Sequence, residues 1–206
     1  MLALNTKFAL ALGALLALAV APRSLAAEGT NTFQVITAQE AMVGRQPLTR
    51  AYVTNGEKRF TFVVPDGFRL DSSKPQEILI TSPDYSTAIT LKFATQVANS
   101  RTTEPETYRG VVKDLYPQTE VAEEFSLSAA GNTGPAFDVR GKTSEGLARS
   151  ARISFIPCAG QLVEFRLITS PEKFRSSAGE LQSLMLTFRA GDVGTKPEVA
   201  VLSEHL

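Results

Sequence analysis

The residues that could do chemistry in this chain of 206 are few. The only histidine, His205, stands next to last, and the only cysteine, Cys158, stands in the run Pro157-Cys158-Ala159-Gly160-Gln161. Nucleophilic catalysis of the Ser-His or Cys-His type needs a histidine base within hydrogen-bond reach. A histidine in an unpatterned tail is not placed to supply it. Zinc sites draw on Cys and His, and one of each, far apart in sequence, builds none. A lone thiol becomes reactive where a cationic neighbour lowers its pKa. No His, Lys or Arg adjoins Cys158, so it reads as a small, half-buried hydrophobe. With one cysteine there is no intramolecular disulfide.

The carboxylates do not converge either. Glu123 and Glu124 are adjacent on a predicted strand and point to opposite faces, so they are no acid–base pair. Glu104 and Glu106 read as helix-cap residues. There is no Asp-x-Asp-x-Asp-Gly loop for calcium. Gly131-Asn132-Thr133-Gly134 lacks the lysine and the spacing of a phosphate loop. These residues therefore predict no catalytic site, no cofactor and no metal. The remaining constellation is cationic. Arg149, Arg152, Arg166 and Arg140 fall on predicted strands, and an arginine-bearing sheet face suits an anionic ligand or an acidic partner. The bland alternative is a solvated face, or pairing with neighbours such as Glu164. As a binding face, the arginines would be replaceable without loss of folding.

The elements that must position these residues follow from periodicity. Ala151, Ile153 and Phe155 alternate, as do Val163, Phe165 and Leu167, which is the strand signal on both sides of the Pro157–Gln161 loop. After Thr169 the period changes. Phe174, Ala178, Leu181, Met185 and Phe188 mark one face of a helix. Ser170-Pro171 opens it and Gly191 closes it. Upstream, Phe60, Phe62 and Val64 alternate and stop at the Pro65-Asp66-Gly67 turn. Ile78–Ile80 and Ile89, Leu91, Phe93 form a second hairpin about Asp84-Tyr85-Ser86. A shorter helix carries the stripe Tyr108, Val111, Val112, Leu115, with Thr103 and Glu106 spaced as a capping box. Val121, Glu123, Phe125 and Leu127 alternate in the next strand, with Glu123 marking the edge of the core. Residues 130–135 read as a turn, and Phe137 and Val139 alternate beyond it. Short connections make the sheet mainly antiparallel, covered by the long helix on one face and the short one on the other. The fold class is α+β.

The N-terminus carries an address. Lys7 precedes an apolar run from Phe8 to Ala21, broken by Pro22-Arg23 and followed by Ser24-Leu25-Ala26. That is the pattern of a secretory signal peptide, expected to be cut after Ala26 or Ala27, the alternative being an uncleaved anchor. Lys7 and Arg23 are two of the 21 basic residues; without them 19 stand against 21 acidic ones, a formal net charge of −2. No basic excess points to nucleic acid. No later run is long enough to span a membrane. The organisation expected is a signal peptide over residues 1–26, an N-terminal arm over 27–57, a domain over 58–190 and a frayed tail over 191–206. Within the arm, residues 37–43 suggest at most a short helix.

Two motifs carry a resemblance. Phe60-Thr61-Phe62-Val63-Val64-Pro65-Asp66-Gly67-Phe68 runs a strand into Pro-x-Gly-aromatic. Thr169-Ser170-Pro171-Glu172-Lys173-Phe174, closed by Thr187-Phe188-Arg189, runs a last strand into a Pro-x-x-Phe helix. Over residues 58–190 the chain resembles the PsbP-like family, which comprises photosystem II extrinsic subunits, DcrB-type envelope proteins and Mog-type partners of the Ran GTPase. The resemblance implies an αβα sandwich and a non-catalytic accessory role. Relatives often carry Trp where this chain has Phe68, and this chain has no Trp. Family members are linked to retention of calcium, manganese and chloride, but no ligand position carries over. The expectation is an exported accessory domain, periplasmic or extracellular, or in the thylakoid lumen of a photosynthetic source. It would bind a partner protein or an envelope membrane complex, with peripheral membrane association left open. The alternative is a small-ligand or ion carrier with a pocket between sheet and helix. An enzyme is disfavoured for want of a general base.

Overall fold

A computed structural model describes residues 33–41, 44, 46–94, 105–115 and 119–193 of the chain. The expected signal peptide, the capping pair's Thr103 and the end of the tail lie outside the described residues.

The described residues form two antiparallel sheets. The smaller has the order β1 (Phe33–Glu40), β2 (Leu48–Asn55), β3 (Lys58–Val63) and β11 (Arg189–Asp192). The larger has the order β4 (Arg69–Asp71), β5 (Glu77–Thr81), β6 (Thr87–Ala94), β10 (Gln161–Thr169), β9 (Ala148–Cys158), β8 (Asn132–Lys142) and β7 (Thr119–Ala129). Helix α1 (Pro105–Leu115) links β6 to β7, and α2 (Phe174–Thr187) links β10 to β11. The α+β class, the antiparallel pairing and the two hairpins β5–β6 and β9–β10 are as the sequence indicates.

Each face of the larger sheet has its own cover. Phe165 lies opposite Ser154 and Arg166 opposite Ile153. The two alternating apolar sets of the central hairpin therefore point to opposite faces. Val163, Phe165 and Leu167 face one core with Leu181, Leu184, Met185 and Phe188 of α2 and with Val53, Phe60 and Phe62 of the smaller sheet. Ala151, Ile153 and Phe155 face a second core with Phe137, Val139 and the α1 residues Tyr108 and Val112. The Tyr108 ring stacks on Phe155 at 4.7 Å. Arg109 fixes α1 to β7 by donating from Nε to Glu124 at 3.1 Å, and it donates to Glu106 at 2.8 Å. Val111, expected in the apolar stripe, is 38% exposed, because α1 meets the sheet along a narrow line.

Phe188 joins the layers. Its ring lies 5.0 Å from Phe165, 5.8 Å from Phe60 and 6.1 Å from Phe62. Phe60 in turn lies 5.0 Å from Phe93. Between the sheets, Asn55 Nδ2 donates to Gln161 Oε1 at 3.0 Å. Under the first turns of α2, Thr87 Oγ1 lies 3.1 Å from Thr169 Oγ1 and 2.9 Å from Ser177 Oγ.

Several expectations need correction. Phe33–Glu40 and Leu48–Asn55, in the expected N-terminal arm, are regular strands. They form β1 and β2, and Ala51 and Val53 are fully buried in the core. Thr37–Glu40 is strand where a short helix was expected, because its backbone pairs with Leu48–Ala51. The hairpin loop expected over 157–161 shrinks to Ala159-Gly160, with φ of 51° and 79°. Ala130-Gly131, at 50° and 75°, likewise replaces the longer turn expected over 130–135. Both are left-handed pairs of the kind that match strand twist. Ser170 makes no side-chain cap bond; Pro171–Lys173 is a 3-10 turn instead. The last helix stops at Thr187, short of Gly191, because Phe188 is extended and Arg189–Asp192 pairs with β3.

Phe188→Ala is expected to cost about 3–5 kcal/mol in denaturant unfolding, since it removes a fully buried ring from three aromatic contacts. Leu186→Ala, at a site 67% exposed, is expected to stay within about 0.5 kcal/mol.

Candidate functional site

The four arginines singled out by the sequence do not share a face. Neighbours directly opposite in an antiparallel ladder project to the same side. Arg152 lies opposite Leu167 and Asp138, which puts it on the α2 side. Arg140 shares that side at the end of β8, where it is exposed. Arg166, opposite Ile153, and Arg149, in phase with Ala151, lie on the α1 side. The single arginine-bearing face expected from the sequence is divided by strand parity.

Two of the four are held in ion pairs. Arg152 donates from Nε to Asp138 Oδ1 at 2.7 Å and from Nη2 to Oδ2 at 2.8 Å, a bidentate pair. Its guanidinium sits 4.8 Å from the Phe125 ring centroid and 5.5 Å from that of Phe174. The Asp138 hydrogen bonds raise its pKa above the ordinary arginine value, against the opposing effect of burial. Arg166 donates to Glu164 Oε1 from Nε at 2.8 Å, the neighbour pairing weighed from the sequence. Arg152 is thus a packing element between β7, β8 and the start of α2. Its replacement would not leave folding intact.

Cys158 is the last residue of β9 and fully buried, with Sγ 4.0 Å from the Ala129 carbonyl oxygen. Burial pushes its thiol up to about 11. The small-hydrophobe reading fits this environment, with fuller burial than expected.

A different surface gathers binding character. The inner side of the smaller sheet is core, while its outer side is open across three strands. One row runs Ile36–Tyr52–Thr61–Arg189 and the next Gln34–Thr54–Arg59. A depression of about 230 Å³ is lined by Gln34, Ile36, Tyr52, Thr54 and Arg59. Ile36, on the edge strand that bounds it, is 55% exposed. On one flank Glu40 Oε1 accepts from Arg50 Nε at 2.6 Å and from the Tyr52 hydroxyl at 3.1 Å. The Arg50 hydrogen bond lowers the Glu40 pKa. Burial, then the bond to Glu40, raises that of Tyr52. On the other flank Arg59 has no ion-pair partner among the described residues, and Arg189 Nη1 bonds only the carbonyls of Leu186 and Phe188. The face thus offers an isoleucine and a tyrosine framed by three arginines and one glutamate. Aromatic and arginine side chains around an apolar centre are the residue types that dominate association energies.

Sequence reasoning missed this surface because it left β1 and β2 unassigned. A legible signal was there. Gly56-Glu57 separates two runs rich in aromatic and β-branched residues, and Gly56 has φ of 61°. Glycine at the first position of a two-residue turn is a hairpin signature.

No family model matches the chain, and no curated protein matches it in sequence. Among solved structures it is similar to cyanobacterial PsbP (CyanoP) from Synechocystis sp. PCC 6803, at 11% identity and a TM-score of 0.48, over 82% of this chain and 98% of that one. It is also similar to LpqN, a protein involved in cell envelope biogenesis of Mycobacterium tuberculosis, at 12% identity and a TM-score of 0.49, over 78% and 92%.

Two outcomes are expected. Asp138→Ala should cost about 3 kcal/mol in urea unfolding, because it strands the Arg152 charge among aromatic rings, whereas Arg140→Ala should stay within about 0.5 kcal/mol. Cys158 should resist thiol reagents in the native state and react only as fast as the protein opens. Its raised pKa favours the folded state fully below the unfolded value near 9, and that contribution is lost as pH climbs towards about 11. Cys158→Ala should flatten the fall in stability across that window.

Proposed function

We propose that the protein is an exported, non-catalytic accessory domain that binds a partner protein or an envelope membrane complex through the open face of its smaller sheet. The observation that carries this is the Ile36–Tyr52 pair, left open in front of a buried core and flanked by Arg59 and Arg189, with the Arg50–Glu40 ion pair at its edge. The complementary surface is apolar at its centre and acidic at its rim. Export rests on the signal-peptide pattern before Ala27. No described helix is long and apolar enough to cross a membrane.

The acidic-partner role read from the sequence passes mainly to this second set of arginines. For Arg140 and Arg149, which hold no buried ion pair among the described residues, a supplementary partner contact remains part of the proposal. The carrier reading finds less support, because the space between the larger sheet and α2 is filled by Leu181, Leu184, Met185 and Phe188.

The test is capture from the native envelope extract with intact membranes, comparing wild type with the Tyr52→Ala/Arg59→Glu double variant. Wild type is expected to recover one stoichiometric complex, less of it as salt rises. The variant should lose most of that recovery while remaining folded by circular dichroism. Equal recovery by both proteins would overturn the assignment to this face.

A further inference from the structure

The two sheets have four edge strands, and three of them are defended. A sheet edge presents unpaired N–H and C=O groups, and soluble proteins blunt such edges by shortness, charge or bulges. β4 has three residues and carries Arg69 and Asp71. β11 has four and carries Arg189 and Asp192. β7 is long, but it bears Glu120, Glu123 and Glu124 and is bulged between Val121 and Glu123. β1 has none of these devices. It runs eight residues, Phe33-Gln34-Val35-Ile36-Thr37-Ala38-Gln39-Glu40, in unbroken register with β2, and its only charge is the last residue. No described strand pairs with its outer edge. Four consecutive positions from Ile36 to Gln39 are exposed.

We propose that this edge pairs with the same edge of a second copy of the chain, antiparallel about a two-fold axis at Ile36, to form one continuous eight-stranded sheet. An uncharged edge is compatible with itself, whereas β7 would set its glutamates against their own copies. Antiparallel pairing about a two-fold keeps like faces together, as a closed symmetric dimer requires. In this register Ile36 meets Ile36 of the second copy, Gln34 meets Ala38, and Val35 meets Thr37. The most exposed apolar side chain of the open face becomes a cross-strand pair, and the two open faces merge into one. The pairing uses the backbone edge of β1. It is therefore independent of whether Tyr52 and Arg59 bind a partner.

The test is sedimentation of the exported chain over a concentration series, with two variants at Ile36. Wild type is expected to dimerise reversibly. Ile36→Lys, which sets like charges directly opposite across the axis, should weaken self-association by roughly tenfold or more without changing the melting temperature. Ile36→Cys should form an interchain disulfide on mild oxidation, because directly opposed residues stand about 4.5–5.5 Å apart at Cα, within disulfide reach. Leu186→Cys, more exposed still but on α2, should not cross-link. A wild type that stays monomeric throughout, a dimer indifferent to Ile36→Lys, or cross-linking no better at position 36 than at 186 would each overturn the proposal. The Tyr52→Ala/Arg59→Glu variant should dimerise as wild type does, which separates this result from the partner-binding test.

Discussion

The contact of Phe188 with Phe60, Phe62 and Phe165 holds three layers in one arrangement. Each sheet joins local hairpins through one long-range pairing, β6 with β10 in the larger sheet and β3 with β11 in the smaller. The last strand of the smaller sheet arrives from the far end of the chain, and β11 pairs with β3 over only four residues. So short a pairing is weak by itself. It is sustained because Phe188, extended at the end of α2, drops its ring into the space between the sheets as the chain turns into β11. Thr187 supports the same junction by accepting a hydrogen bond from the Val63 amide at 3.0 Å. Helix end, strand start and ring burial are therefore one event.

That constraint decides which surfaces are left open. Once the inner side of β1–β2–β3 is committed to Phe93, Phe165 and Phe188, its other side must face outwards. The larger sheet differs, with α2 and the smaller sheet on one side and α1 against the other. A strand covered on both sides reads as nearly continuous apolar sequence, and Ile153–Ile156 in β9 does. A strand covered on one side alternates, and its outward residues are available for other uses. Tyr52 and Arg59 occupy such positions, so their types are not dictated by the core.

How much was legible in the sequence follows from the range of the interactions involved. The β9–β10 hairpin and both helices were readable, since period and turn residues are local properties. The division into two sheets was not. Pro65-Asp66-Gly67 reads as a turn, and it is one, but nothing local says that it carries the chain from the smaller sheet into the larger. β1 was illegible for a related reason. Only Phe33 and Val35 of its inward set pack on the core, while Thr37 and Gln39 are exposed, so its alternation fades midway. The helix end was misplaced because Gly191 looks like a stop signal, whereas the stop comes from the demand of β3 for a partner.

The arginines show why a candidate site was harder to read than a fold. In sequence, Arg152 and Arg59 are equivalent cations on predicted strands. In space, register sets Asp138 directly opposite Arg152 and two aromatic rings against its guanidinium, and the charge is consumed by packing. Arg166 finds Glu164 two residues away on the same face, and Arg50 finds Glu40 across the β1–β2 ladder. Each such pairing converts a candidate binding residue into a fold residue. The converse also holds. A cation that the register leaves without a carboxylate, beside an exposed isoleucine and a half-buried tyrosine, owes nothing to the stability of the sheet beneath it. Among the described residues Arg59 is such a cation, and its position rather than its type sets it apart from Arg152.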